Sequence, residues 1–157
     1  MQINLYNPKT EFSGSYSFTG KCRSKFVNLY CELPQNTGFP RDYYVKTKEA
    51  KVLKPHYFIS FLWGDGSREG TNFVQDVVIK SLKDSRSKGR VILDAQKIDA
   101  RTSPAGFYYK LGFRFVEDKF NKILEQWLKH GGTKFDAPDV EGKMYLPKEN
   151  IENCIRY

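Results

Sequence analysis

Two short stretches of this chain carry residue types at spacings that suit chemistry. The first is "SPAGFYYKLGF", Ser103 to Phe113, where two adjacent tyrosines stand between a proline and a glycine. A tyrosine can serve as a general acid where its phenol reaches a leaving group, so either tyrosine is a candidate. The second is "FLWGDGSREGTNFV", Phe61 to Val74, where an apolar run gives way to three glycines and then to a helical pattern. A helix N-terminus presents unpaired N–H groups and a positive dipole end, and glycines ahead of it let an anion approach the backbone. A phosphate or pyrophosphate is the guest such a unit suits. "GDGSREG" lacks the Lys-Ser/Thr of a Walker loop and the third glycine of the dinucleotide pattern, which excludes both fingerprints. A packed helix end and an ordinary strand-to-helix connection are the structural alternatives for the two stretches.

The elements that must position these residues are legible around them. Ser103 is a good N-cap, Pro104 fits a first helical turn and Gly112 stops the helix. Phe107 and Leu111 lie at i, i+4 and are expected to face the core. Tyr108 and Tyr109 then point about 100° apart, so at most one faces a site. Upstream, "HYFISFLW" (His56 to Trp63) and "RVILDA" (Arg90 to Ala95) read as buried strands. Between them Val74, Val77, Val78 and Leu82 share one helical face, Lys80, Lys83, Arg86 and Lys88 gather at the helix's cation-favouring end, and Gly89 is expected to close it. "YYVKTKEAKVL" (Tyr43 to Leu53) reads as one extended strand ended by Pro55. Downstream come the strand "FRFVE", an amphipathic helix with the stripe Phe120, Ile123, Leu124, Trp127 and Leu128 capped by Gly131-Gly132, and a last strand "GKMYLP". Residues 1–40 are turn-rich and aromatic, and "CRSKFVNLYCEL" is their one candidate helix. Strands alternating with helices from His56 onward imply an α/β or α+β sheet with helices packed on it.

Size and composition bound the function. A chain of 157 residues is one domain by the length prior, with no apolar run near the ~20 residues of a membrane span. Cys22, Cys31 and Cys154 form no CxxC pair, which argues against a structural zinc site or a disulfide framework and for a reducing compartment. With no basic leader followed by an apolar run, the expectation is a soluble, cytoplasmic protein without membrane contact. The net charge of +8 is uneven: residues 1–55 hold nine Lys/Arg against four Asp/Glu, and residues 117–157 hold seven against eight. Such a basic half suits a phosphate-bearing ligand, a nucleic acid or an acidic partner, or serves as a solubilising surface.

Together the two stretches resemble the GNAT superfamily of acyl-CoA-dependent N-acetyltransferases. "GFYYKLGFRF" is similar to that family's "FYEKLGF" segment. "SKGRVILDAQ" resembles the end of its pyrophosphate-binding helix and its fifth strand, and "GKMYLPKE" its closing strand. The resemblance covers residues 56–116 and 142–149. It implies a single α+β domain with a GNAT-like mixed central sheet flanked by helices. In that reading residues 1–55 are a divergent N-terminal part, 56–116 the acyl-CoA-binding core, 117–141 an inserted helix and loop before the last strand, and 142–157 the last strand and tail.

The same resemblance implies an acetyltransferase. Acetyl-CoA, as co-substrate with no metal, lies in the gap between strands 56–63 and 90–95. An acceptor amine attacks its carbonyl directly. Leu62, Trp63 and Gly64 face the pantetheine and thioester, a backbone N–H near Trp63 stabilises the oxyanion, and the N–H groups of Gly70, Thr71, Asn72, Phe73 and Val74 hold the pyrophosphate. Tyr108 matches the family tyrosine that protonates the leaving thiolate, while Tyr109 falls where relatives carry a charged, outward residue. The phosphate motif is degenerate. Counted back from Gly89 it falls on residues 69–74 without its glycines; moved by one residue it starts at Arg68, with Thr71 and Phe73 replacing them. A longer loop with Gly70 and Asn72 in the close turns is the expected accommodation. Arg101 replaces an asparagine and is a candidate partner for a CoA phosphate. The fourth strand lacks an acidic base, which leaves His56 and Asp65 as candidates acting through water. The acceptor, a small molecule or a protein, is unidentified, and the stripe from Phe120 to Leu128 packs on the chain's own sheet or on a second subunit of a homodimer. Two other classes stay open. One is a GNAT-fold binding module that has lost catalysis and takes an acidic protein or a nucleic acid. The other is a nucleic-acid binder in which Tyr16, Phe18, Phe26 and Tyr30 interleave with Lys21, Arg23 and Lys25.

Overall fold

The computed structural model describes residues 2–7, 12–18, 38–46, 51–63, 68–97, 103–133 and 136–157. The chain divides into two compact units, Met1–Ile92 and Leu93–Tyr157. The fold is α+β: a sheet of mixed strand direction with helices. Among the described residues no helix is long and apolar enough to cross a membrane. The candidate helix "CRSKFVNLYCEL" and the interleaved aromatics Phe26 and Tyr30 lie outside the described residues.

In the first unit β1 (Gln2–Asn7), β2 (Phe12–Phe18) and β5 (Tyr57–Trp63) lie side by side, antiparallel at each step, and β5 is followed in the sheet by the start of β6 (Val91–Ala95). The helix α1 (Glu69–Lys83) lies between β5 and β6 in the chain. The expected strand 43–53 is instead a short turn of 3₁₀ helix (Arg41–Tyr43) and a separate hairpin. In it β3 (Tyr44–Lys46) pairs antiparallel with β4 (Lys51–Leu53). The polar run "TKEA" between them interrupts what reads as continuous β-propensity. Tyr43 is buried against Phe39, and its hydroxyl donates to the Val91 carbonyl (3.4 Å) and accepts from the Val91 N–H (3.2 Å). One side chain thus bonds both backbone groups of a buried strand residue.

The helix α1 buries Phe73, Val74, Val77, Val78 and Ser81, whereas Leu82, expected in the stripe, is 49% exposed. The last buried position takes a hydroxyl because it faces polar backbone: Ser81 Oγ donates to the Arg90 carbonyl at 2.8 Å. The helix also ends at Lys83 and not at Gly89. The Asp84 N–H closes it on the carbonyls of Lys80 and Ser81, and the chain then turns through Lys88 (φ 51°) and Gly89 (φ 89°). Gly89 serves this left-handed turn, a conformation glycine adopts without steric strain. Arg90 is buried behind it, its Nε donating to the Pro55 carbonyl (2.9 Å) and its Nη2 to that of Arg86 (2.7 Å). Asp84 accepts from the Tyr57 hydroxyl and from two guanidinium nitrogens of Arg86. These bonds, Arg86 first, hold the Asp84 carboxyl well below the usual carboxylate range.

The second unit holds the rest of β6, then α2 (Ala105–Lys110), β7 (Arg114–Phe115), α3 (Asp118–Lys129), β8 (Gly142–Tyr145) and a closing α4 (Ile151–Arg156) that no sequence pattern announced. The sheet order here is β6, β8, β7, with β7 and β8 antiparallel. The strand "FRFVE" shrinks to two residues because Glu117 already caps α3. The free edge of β7 is closed by Asn121, whose side chain accepts from the Phe115 N–H (2.6 Å) and donates to the Phe115 carbonyl (3.0 Å). Of the α3 stripe, Leu124 and Trp127 are buried and Phe120 meets Phe115 edge-on, while Ile123 and Leu128 stay exposed on its two flanks.

Two measurements check this description. Truncation of Trp127 to alanine is expected to cost ~3–5 kcal/mol in urea unfolding and Ile123→Ala less than about 0.5 kcal/mol, since only the indole is enclosed. A carboxyl with a lowered folded pKa stabilises above its unfolded value, here 3.8, and loses that contribution as pH falls below it. Asp84→Asn should therefore lower the melting temperature at neutral pH and shrink the parent's loss of stability between pH 5 and pH 2.

Candidate functional site

The end of β5 is shaped by a bulge. Ile59 faces Tyr16 and Phe61 faces Ser15, so Ser60 is one extra residue on β5. A bulge bends its strand and re-aims the residues beyond it. Those residues are Phe61, Leu62 and Trp63, of which Leu62 pairs with Gly14 and Trp63 with Ser13. Gly64, Asp65 and Arg101 lie outside the described residues. His56, just before β5, is buried, and its Nδ1–H donates to the Lys54 carbonyl at 2.8 Å. That bond fixes the ring and spends one of its nitrogens on the backbone.

The helix α1 starts four residues earlier than its apolar periodicity suggests, at Glu69 with Arg68 as N-cap. Gly70 and Asn72 are therefore helical and do not make the close turns expected of them; positive φ occurs elsewhere among the described residues. The Asn72 N–H already bonds the Arg68 carbonyl (3.0 Å), and Phe73 and Val74 follow it into the buried face. Of the N–H groups expected to hold a pyrophosphate, those of Asn72, Phe73 and Val74 are thus taken up by the helix, because only the first three residues of a helix keep open donors. Gly70 and Thr71, both half-buried, keep theirs, without an acceptor among the described residues. Arg68 is exposed beside them, and Glu69 places an acidic side chain on the same turn.

The helix α2 starts at Ala105 with Pro104, not the expected Ser103, at its N-cap; Ser103 Oγ accepts from the Ala105 N–H and donates to the Val140 carbonyl. The helix closes at Gly112, at φ 108°. Contrary to the expected core pair, Leu111 is buried but Phe107 only half so, and both tyrosines are buried, Tyr108 at 6% and Tyr109 at 8% exposure. The Tyr108 ring stacks on Phe107 (5.1 Å) and meets Phe113 edge-on (5.9 Å). Burial alone pushes its phenol well above the ordinary tyrosine range, which keeps it a proton donor throughout neutral and mildly alkaline pH. Among the described residues its hydroxyl has no hydrogen-bond partner. Tyr109 does not point outward. The Arg114 guanidinium lies 3.9 Å from its ring centroid, held there by bonds from Nη1 to the carbonyls of Tyr109 and Phe113. A cation on the ring face covers what would otherwise be an exposed aromatic.

Among the described residues the expected site residues thus fall on the start or end of β5, the first two turns of α1, or α2. Sequence reasoning missed Tyr43 and the glycine pair Gly106 and Gly132. Gly106 inside a short helix was the available signal, since an interior glycine marks close approach. Among the described residues no group of three or more His, Cys, Asp and Glu gathers to hold a metal ion. Set against known proteins, the chain matches no family model, no curated protein and no solved structure.

The tyrosine assignment has a direct check. With fluorotyrosine incorporated, the ¹⁹F signal lost in Tyr108→Phe should not titrate up to pH 11, because burial holds that phenol neutral. A titration centred near pH 10 would show the ring open to water.

Proposed function

We propose that this chain is an acyl-CoA-dependent N-acetyltransferase of GNAT-like fold, with Tyr108 as its general acid. The observation that carries this reading is the unit β5–α1: a bulged strand end leading into a helix whose first turn keeps the N–H groups of Gly70 and Thr71 open. Such a pair, with the dipole behind it and Arg68 beside it, suits a pyrophosphate. The order of elements from β5 to β8, with α3 as the extra helix, supports the same fold.

In this mechanism the acceptor amine attacks the thioester carbonyl carbon. A backbone N–H near Trp63 stabilises the oxyanion. The C–S bond then breaks, and sulfur leaves with the proton of Tyr108. The new amide nitrogen loses its extra proton to water, and water returns one to the phenolate. A neutral phenol is the working form, and the burial of Tyr108 maintains it. Turnover should accordingly rise with pH as the acceptor amine loses its proton, without a fall below pH ~10 that Tyr108→Phe abolishes.

One observation favours the second reading, a binding module without catalysis. Phe73 and Val74 are buried, and Glu69 puts an acidic side chain on the anion's side of the helix. Acetyl-CoA separates the two. At tenfold above its Kd it should raise the melting temperature by roughly 3–6 °C. In a thiol-release assay with a panel of primary amines, Tyr108→Phe should lower turnover ~10²–10⁴-fold with little change in acetyl-CoA affinity, and Tyr109→Phe should change little. No melting shift at millimolar acetyl-CoA would remove the acetyltransferase reading. Binding that weakens steeply with salt to an oligonucleotide or a polyglutamate peptide would favour the module.

A further inference from the structure

We propose that Trp127, on α3, is a positioning residue that fixes α2 and so sets where the Tyr108 hydroxyl stands; its catalytic meaning rests on the acetyltransferase reading above. The helix α2 has six residues, too few to hold its own place without tertiary contacts. Gly106 and Lys110 share one face of it at i, i+4, and Tyr108 lies about 200° round from Gly106, on the opposite face. Trp127 grips the first face. A Cβ at Gly106 would stand 2.8 Å from indole Cη2 and 3.3 Å from the Ala137 Cβ, so the indole rests on bare backbone. The Lys110 ammonium lies 4.9 Å from the ring centroid and donates to the Gly132 carbonyl at 3.3 Å. A side chain at Gly132 would run into the indole as well, and the Gly132 N–H bonds the Trp127 carbonyl at 2.9 Å. In the ring plane the indole N–H donates to Asp136 Oδ1 (2.9 Å), an oxygen anchored in turn by the Thr133 N–H and hydroxyl.

Neither glycine is demanded by its backbone, since neither has positive φ. Glycine inside a helix is destabilising relative to alanine. Its presence at 106 is explained by the close approach of the indole, with the Ala137 Cβ next to it. Tyr108 is held on its own face by Phe107 and Phe113, so a shift of α2 away from the indole moves its hydroxyl. The resemblance makes α3 an insertion, which would give this chain its own means of setting the acid.

The test uses the full chain with Trp127→Phe and Gly106→Ala, and Lys122→Ala on the exposed face of α3 as control. In thiol release from acetyl-CoA, kcat should fall about 10–10²-fold in the first two while KM for acetyl-CoA moves less than about twofold, the pattern of a displaced acid rather than a lost binding group. The ¹⁹F signal of fluorotyrosine at 108 should shift in both and stay in place in the control. If Gly106→Ala does not fold, Asp136→Ala, which removes the acceptor shared by the indole N–H and by the Thr133 N–H and hydroxyl, should give the same shift in smaller measure. Folded variants with parental kcat and an unmoved Tyr108 signal would overturn the proposal. If the parent itself releases no thiol, the acetyltransferase reading fails and the ¹⁹F shift alone decides: a moved signal supports positioning by Trp127, an unmoved one ends it.

Discussion

A buried guanidinium organises the first unit. Arg90 reaches back to the carbonyls of Pro55, just before β5, and Arg86, just after α1, while its own carbonyl receives Ser81 Oγ and the Tyr57 N–H. Burying a charge in this way is unfavourable unless its donors are met, and the fixed fork of an arginine can meet acceptors that diverge. The result is that the start of β5, the end of α1 and the start of β6 share one residue as their common bond. The turn 84–89 is then constrained to deliver Arg90 to that spot, which accounts for the left-handed pair Lys88 and Gly89 and for the hydroxyls of Ser81 and Ser87 turned onto backbone carbonyls.

The second unit is organised by shape. Its core of Leu111, Phe113, Phe115, Leu124, Met144 and Leu146 is fully enclosed, and α3 lies on it through Leu124 and Trp127. A tryptophan enclosed on this scale needs an acceptor for its N–H, and Asp136 supplies it. Those two requirements, bare backbone on one side and a carboxylate in the ring plane, explain Gly106, Gly132 and the return of the chain past residue 136 together.

Apolar periodicity made β5, β6, α1 and α3 legible because each has a face that must be buried. It misplaced the end of α1 because Gly89 looks like a helix stop, whereas its φ serves the turn that follows. It put Leu82 in the core because hydropathy cannot register that an Arg90 carbonyl waits there for a hydroxyl. The hairpin β3–β4 read as one strand because both halves have the same β-forming residues and no glycine marks the reversal. At the candidate site, residue patterns made β5, α1 and α2 legible, but they could not say which N–H groups remain open. That depends on where α1 begins, and the first turn of a helix carries little hydrophobic signal. Tyr109 was expected outward because relatives carry a charged residue at its position; the group that covers it, Arg114, is five residues away and belongs to the next strand.

Three buried tyrosines show how differently one side chain is used. The Tyr43 hydroxyl donates and accepts at Val91 and so completes a strand. The Tyr57 hydroxyl gives its proton to a bond with Asp84. Both hydroxyls are committed to bonds within the fold. Tyr108 is held by ring contacts alone, between Phe107 and Phe113. Aromatic contacts fix a ring's position without engaging its hydroxyl. A phenol so placed keeps its proton because its surroundings disfavour the anion, and it keeps its hydrogen-bonding capacity because no described residue uses it. A phenylalanine would fill the same space with less desolvation. Among the described residues the Tyr108 hydroxyl is thus left uncommitted, which is the condition that the proposed role of general acid sets.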